Sequence, residues 1–130
     1  MRWPRRHLMH STPHPTIGID LVELDDFRCR LDDRLLNRLL SLKERSRYET
    51  ITHPQRKLEY VAGRFAAKEA YTKAYRQFER PLNFTEVEIL EDAHGAPIIT
   101  STYRPQDSLH VSISHTKHYV IAIVSLQKAL

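Results

Sequence analysis

The alternation of apolar and polar residues changes its period along the chain. TIGIDLV (Thr16 to Val22) alternates with period two and is rich in β-branched residues, which predicts a strand. Its apolar parity is Ile17, Ile19 and Leu21, while Gly18 and Asp20 share the other face. Asp25 and Asp26 open a helical stretch, because acids suit first turns. From Asp32 to about Thr50, Leu35, Leu36, Leu39, Leu40 and Leu42 recur at helical spacing. Pro54 predicts the start of a long helix, and Pro81 lies just beyond its end. The second half returns to period two. FTEVEIL (Phe84 to Leu90), PIITSTY (Pro97 to Tyr103) and LHVSIS (Leu109 to Ser114) read as strands, with EDAHGAP as a turn. YVIAIVSL reads as a closing strand buried on both faces. A strand, then helices, then an antiparallel sheet predict an α+β fold.

The long helix carries an anomaly. At roughly 100° per residue, Leu58, Val61, Ala62, Phe65 and Ala66 form an apolar stripe, and Glu69 falls near its centre. A carboxylate aimed at a core is costly unless a cation meets it. An exposed ion pair with Lys73, one turn on, would contribute only about 0.3–0.5 kcal/mol. Asp20 is a second acid, late in its strand, with Gly18 on the same face leaving room for something to approach the backbone. Its plainer alternative is a strand end or a cap for the next helix. Two carboxylates from separate elements suit a hard, oxygen-seeking cation such as Mg²⁺. Lys73 and Arg64 would then form the phosphate side of the same site. His115, in SISHTKHY, could grip a phosphate or simply fill a hairpin. His110 and His115 have opposite strand parity, so with His118 they make a poor zinc set. The three glycines, Gly18, Gly63 and Gly95, are expected where backbone must come close.

Composition narrows the class. A chain of 130 residues, 41% hydrophobic and 28% charged, suits one domain, 16–130, with a modest core. Its longest apolar run falls short of the ~20 residues that span a bilayer. One cysteine, Cys29, excludes an intrachain disulfide and predicts a reducing, cytoplasmic setting. No secretory signal is recognisable, and no membrane association is expected. The segment 1–15 carries three arginines, three histidines and no acid, and reads as a basic, poorly ordered extension. A net charge of +4 suits an anionic partner. A nucleic-acid-binding role would rest on that basic charge and the Arg/His-rich segment 1–15 alone, since no helix-turn-helix, zinc-finger or RNP-like motif is present.

GIDLVEL (Gly18 to Leu24), AGRFAAKEAYTKAY (Ala62 to Tyr75), HGAP (His94 to Pro97) and VSISHTKHYVIAIV (Val111 to Val124) go further. In order and spacing, from about Ile17 onward, they resemble the motifs of the holo-[acyl-carrier-protein] synthases. These are the short bacterial type of 4′-phosphopantetheinyl transferase. The resemblance implies an antiparallel sheet packed on a long central helix. It also implies transfer of 4′-phosphopantetheine from coenzyme A to a serine of an apo acyl carrier protein, with adenosine 3′,5′-bisphosphate released, in fatty acid biosynthesis. By the same resemblance, Asp20 and Glu69 would bind Mg²⁺ and Lys73 would assist the leaving phosphate. Arg56, Lys57, Arg64 and His115 would hold phosphates of the nucleotide, and Pro97 would line its pocket. A homotrimer with active sites between subunits is expected. One segment departs from the pattern: AYRQFERPLNF (Ala74 to Phe84) has no glycine where family members usually turn on glycines. That departure motivates the alternative of a CoA-binding homologue without transfer activity.

Overall fold

The computed structural model describes residues 14–129. The segment expected as an extension lies outside them except for His14 and Pro15. Strand β1 (Thr16–Glu23) leads into three short helices, α1 (Leu24–Arg30), α2 (Asp33–Leu39) and α3 (Leu42–Thr50), and then the long helix α4 (Pro54–Tyr75). A 3₁₀ turn (Phe84–Glu86) precedes β2 (Val87–Glu91), β3 (Pro97–Ser101), β4 (Ser108–His115) and β5 (Tyr119–Gln127). The order β1-β5-β4 makes a three-stranded antiparallel sheet, and β2-β3 is a separate antiparallel hairpin. Among the described residues, no helix is long and apolar enough to cross a membrane.

Local chemistry explains the boundaries. The stretch predicted as helical from Asp32 to Thr50 is two helices, because Asp32 and Ser41 each cap a new start. The Asp32 side chain accepts from the Leu35 amide, and Ser41 forms a reciprocal capping box with Glu44. Pro54 stands in the first turn of α4, and His53 caps it by accepting from the Arg56 amide. The strand predicted from Phe84 begins only at Val87, because Asn83 and Glu86 cap a 3₁₀ turn over the intervening residues.

Helix α4 is the centre of the core. Val61, Ala62, Ala66, Ala67 and Ala70 are fully buried, and Tyr60, Tyr71 and Ala74 nearly so. These residues occupy most of the helix circumference, so burial is not confined to one stripe. The side carrying Phe65 and Glu69, the expected centre of that stripe, is only half-buried and borders a cleft.

Strand β1 packs on α4 through Gly18 and Val22, and Ile17, Ile19 and Leu21 face outward. A Cβ on Gly18 would lie 1.8 Å from the Ala70 carbonyl oxygen. The room left by Gly18 is therefore filled by the helix itself. The Thr16 hydroxyl seals the contact by donating to the Ala74 carbonyl at 2.7 Å. Strand β5 follows the same division. Val120, Ala122, Val124 and Leu126 are buried, whereas Tyr119 and Ile123 are exposed, so β5 is buried on one face and not on both. Register places Ile19 beside Ile123 and Leu21 beside Ile121. The outer sheet face is consequently apolar across β1 and β5, while β4 places Ser112 and Ser114 beside Ile123 and Ile121.

A buried ion pair ties the short helices to the core. Lys68 Nζ lies 2.6 Å from Glu44 Oε1, and both side chains are wholly buried. Lys68 also donates to the Leu39 carbonyl, and Glu44 accepts from the amides of Ser41 and Ile89. The carboxylate thus holds the α3 start, the α4 lysine and β2 together.

The glycine-free segment after α4 turns on Arg76, which has φ 73° and ψ −52°. The Gln77 amide donates to the Tyr75 carbonyl at 2.9 Å, closing a γ-turn. Aromatic packing secures the chain beyond the turn. Phe78 stacks on Tyr75 with centroids 4.5 Å apart, and Tyr103 packs against both.

Candidate active site

Strand β1 and helix α4 bring Asp20, Glu69 and Lys73 to one place. Asp20 lies on the inward parity of β1 between the buried Gly18 and Val22, one strand repeat past Gly18, so the close approach at Gly18 sets its distance from the helix. Lys73 Nζ lies 3.0 Å from Asp20 Oδ1 and donates to the Ile19 carbonyl at 3.0 Å. The lysine therefore crosses to the strand rather than pairing with Glu69 along its own helix. Burial, and then the Asp20 charge, push the Glu69 carboxyl above the ordinary glutamate range, while Lys73 and Arg30 pull it back.

Both acids line a cleft of about 440 Å³ with Asp26, Arg30 and Phe65. Arg30 lies over the Phe65 ring, 5.5 Å from its centroid. A neighbouring cleft of about 680 Å³ shares Arg30, Phe65 and Glu69 and is otherwise bordered by α2 and the segment 82–85. The donor set of Asp20 and Glu69 is oxygen-only and its two charges disfavour each other, which fits a hard divalent cation. Among the described residues no group of three or more histidine, cysteine or acidic side chains converges. A cation here would complete its shell with water and substrate oxygen, as Mg²⁺ characteristically does.

A second cavity, of about 560 Å³, lies at the N-terminal half of α4. Arg56, Arg64, Pro97 and His115 all line it, so four of the five nucleotide-binding candidates meet there. Lys57 is placed elsewhere, its Nζ 4.4 Å over the Tyr48 ring and 3.9 Å from Glu49. The Arg64 guanidinium is buried, 3.9 Å over the Tyr60 ring, with Nε donating to the Ile89 carbonyl. His115 Nδ1 lies 3.4 Å from Glu59. Pro97 opens β3 after Gly95, whose φ of +83° makes the tight turn.

Sequence reasoning missed Arg47 and His53, which line the same cavity, and Arg30 at the carboxylate cleft. His53 was legible as the residue before the Pro54 helix start. Arg47 and Arg30 had no local signal, because nothing in a short polar helix face tells which cation points at a cavity. The buried pair was partly legible, since Ser41-x-x-Glu44 is a capping-box pattern.

The comparisons with known proteins agree with this architecture. The model of the 4′-phosphopantetheinyl transferase superfamily matches residues 16–124. The holo-[acyl-carrier-protein] synthase of Bacillus pumilus is 43% identical over 115 residues, covering 86% of this chain and 94% of that protein. That of Acholeplasma laidlawii is 39% identical over 111 residues, with 85% and 94% covered. Among solved structures, the Bacillus anthracis enzyme in complex with CoA (3′,5′-ADP) has a TM-score of 0.78 at 36% identity, covering 88% of this chain and 96% of that one. The Helicobacter pylori enzyme in complex with coenzyme A has a TM-score of 0.71 at 32% identity, covering 85% and 99%. The chain therefore belongs to the 4′-phosphopantetheinyl transferase superfamily, among its holo-[acyl-carrier-protein] synthases.

Proposed function

We propose that this chain transfers 4′-phosphopantetheine from coenzyme A to a serine of an apo acyl carrier protein, serving fatty acid biosynthesis in the cytoplasm, with Mg²⁺ held by Asp20 and Glu69. The observation that carries the reading is the convergence of Asp20 and Glu69 on one cleft, with Lys73 held against Asp20, in a chain of this family. When bound, the cation would offset negative charge on the pyrophosphate of CoA. Glu69, whose carboxyl is raised by burial and by Asp20, accepts the serine proton as the serine oxygen attacks the phosphorus that carries the pantetheine arm. The bond from that phosphorus to the bridging oxygen breaks, and adenosine 3′,5′-bisphosphate leaves with the electron pair. Lys73, already within hydrogen-bond reach of Asp20, steadies the charge on the departing phosphate.

Arg56, Arg64, His115 and Pro97 are assigned to the nucleotide of CoA. Arg64 and Glu69 are five residues apart, which puts them about 140° apart around α4. The nucleotide cavity and the carboxylate cleft therefore look in different directions within one subunit. A homotrimer that sets the cavity of one subunit against the cleft of the next would join the halves. The outward apolar face of Ile17, Ile19, Leu21, Tyr119 and Ile123 supplies a surface for such contact. For the acidic carrier, Arg34 and Arg38 stand one helical turn apart on α2, Arg38 at the wall of the larger cleft, and both lie in no ion pair among the described residues. Arg28, by contrast, is paired with Asp25 at 2.7 Å. The docking edge is accordingly placed on α2 and Arg30 rather than at the acidic start of α1.

The test is the intact mass of an apo acyl carrier protein after incubation with this protein, CoA and Mg²⁺, beside an EDTA control. A metal-dependent gain of one phosphopantetheine is expected. No gain across several carriers, with CoA still bound, would establish a binding homologue instead.

A further inference from the structure

The nucleotide cavity contains a carboxylate that a phosphate-binding site would not call for. Glu91 is the last residue of β2, and its Oε1 lies 3.5 Å from Arg64 Nη2 and 3.6 Å from Arg47 Nε. One carboxylate thus links two arginines from different helices at the wall of the same cavity. Both separations are those of loose ion pairs rather than short charge-assisted hydrogen bonds. The glutamate is also a third exposed, at the edge of the turn that leads to Gly95. The other acid of the cavity, Glu59, is engaged by His115 and by Gln55.

We propose that Glu91 is an internal stand-in for a phosphate: it keeps Arg47 and Arg64 gathered at the cavity, and it yields to a phosphate of the nucleotide. Arg47, which lies outside every motif of the chain that suggested function, thereby becomes a phosphate-binding residue. The inference rests on the assignment of this cavity to the nucleotide of CoA. Charge balance supports it. Three arginines face two carboxylates in the cavity, an excess of one positive charge. With Glu91 turned out to solvent the excess is two, which matches a phosphate monoester dianion. Arg64 needs such a partner throughout. Among the described residues, its buried guanidinium has only the Ile89 carbonyl and the Tyr60 ring besides Glu91, and a buried cation without an anion is unfavourable. Glu91 therefore stabilises the empty site and competes with the ligand in the same place.

The two roles predict opposite signs for one substitution. Calorimetric titration of the full chain with adenosine 3′,5′-bisphosphate is the test. Glu91→Gln should bind about threefold to tenfold more tightly than the parent, since two loose, partly exposed ion pairs no longer compete. Arg47→Ala should bind about fivefold to tenfold more weakly, through loss of one charge-assisted contact. If Glu91→Gln binds equally or more weakly, the glutamate merely holds Arg64 in place and the proposal is overturned. If Arg47→Ala binds as the parent does, Arg47 is not a ligand. Glu91→Ala, compared at equal melting temperature, separates a binding effect from a folding defect and should also tighten binding. Arg56→Ala serves as the control for the cavity. If it weakens binding while Glu91→Gln does not tighten it, only the Glu91 proposal falls. If Arg56→Ala has no effect, the nucleotide binds elsewhere and both readings fall.

Discussion

Lys73 Nζ lies 3.0 Å from Asp20 Oδ1, so the cation of helix α4 is engaged by the acid of strand β1 and not by Glu69 one turn away on its own helix. Lys73 thereby spans the two elements that build the carboxylate cleft, while Glu69 keeps a carboxylate with no ion-pair partner among the described residues. Glu69→Ala and Glu69→Gln should each reduce phosphopantetheine transfer by a factor of about 10² or more, as expected for loss of a proton acceptor. Folding, followed by circular dichroism, should be retained. Wild-type turnover in either variant would remove Glu69 from the reaction.

The same environment gives Glu69 a signature in pH. Its carboxyl is raised in the folded protein, so the folded state holds that proton over a range where the unfolded chain has lost it. Its contribution to stability is present below the ordinary glutamate value and declines as pH rises through the raised folded value. Glu86 acts with the opposite sign. Its hydrogen bonds from Arg80 and the Asn83 amide hold it down to about 2, so its contribution is present above the ordinary value and is lost as pH falls toward that number. In metal-free protein, Glu69→Gln should therefore raise the melting temperature at neutral pH and leave the acid limb in place. Glu86→Gln should flatten the acid limb alone. Thermal melts from pH 2 to 8 distinguish the two, and an unchanged neutral melting temperature for Glu69→Gln would show that its burial carries no cost.

Gly18 admits no side chain. With the Ala70 carbonyl oxygen 1.8 Å from the position of a Cβ, and the Ala74 amide nitrogen at 2.7 Å, Gly18→Ala must push β1 off α4. A loss of about 3 kcal/mol or more is expected, at the upper end for overpacking, because backbone cannot rotate aside as a side chain can. Gly63→Ala is the contrast. Its nearest neighbour, Ile113 Cγ2, would lie at 3.4 Å, so the cost should be below about 1 kcal/mol, and α-helical propensity partly offsets it. Urea titration of both variants tests the difference.

Arg76 holds a γ-turn that a side chain tolerates poorly. Arg76→Gly should stabilise the protein by about 1 kcal/mol, the usual scale of such backbone strain. An unchanged or lower melting temperature would show that the aromatic packing of Tyr75, Phe78 and Tyr103 has already relieved the turn.

The buried pair should be unforgiving in a particular way. Lys68→Met leaves Glu44 charged and unpaired in the core and should cost about 3–5 kcal/mol. Adding Glu44→Gln removes that charge while keeping an acceptor for the Ile89 amide, and should restore part of the loss. A double variant no more stable than Lys68→Met would mean that the pair is not the source of the cost.

The sequence by itself determined the α+β class, the order of the elements and the long helix from Pro54, because period, caps and prolines act within a few residues of one another. It also singled out Asp20, Glu69 and Lys73, whose types are conspicuous in their segments. Tertiary structure decided which faces are buried. Ile17, Ile19 and Leu21 are the greasier parity of β1, yet Gly18 wins the core because only a glycine lets the helix backbone approach. Phe65 and Glu69 look like the buried stripe of α4, yet strands and helices cover its remaining sides and leave that one at a cleft. Partner choice was likewise decided at a distance. Lys73 reaches Asp20, Lys68 reaches Glu44, and Glu91 reaches both Arg47 and Arg64. Each pair joins residues far apart in the chain, and local periodicity says nothing about which elements pack together.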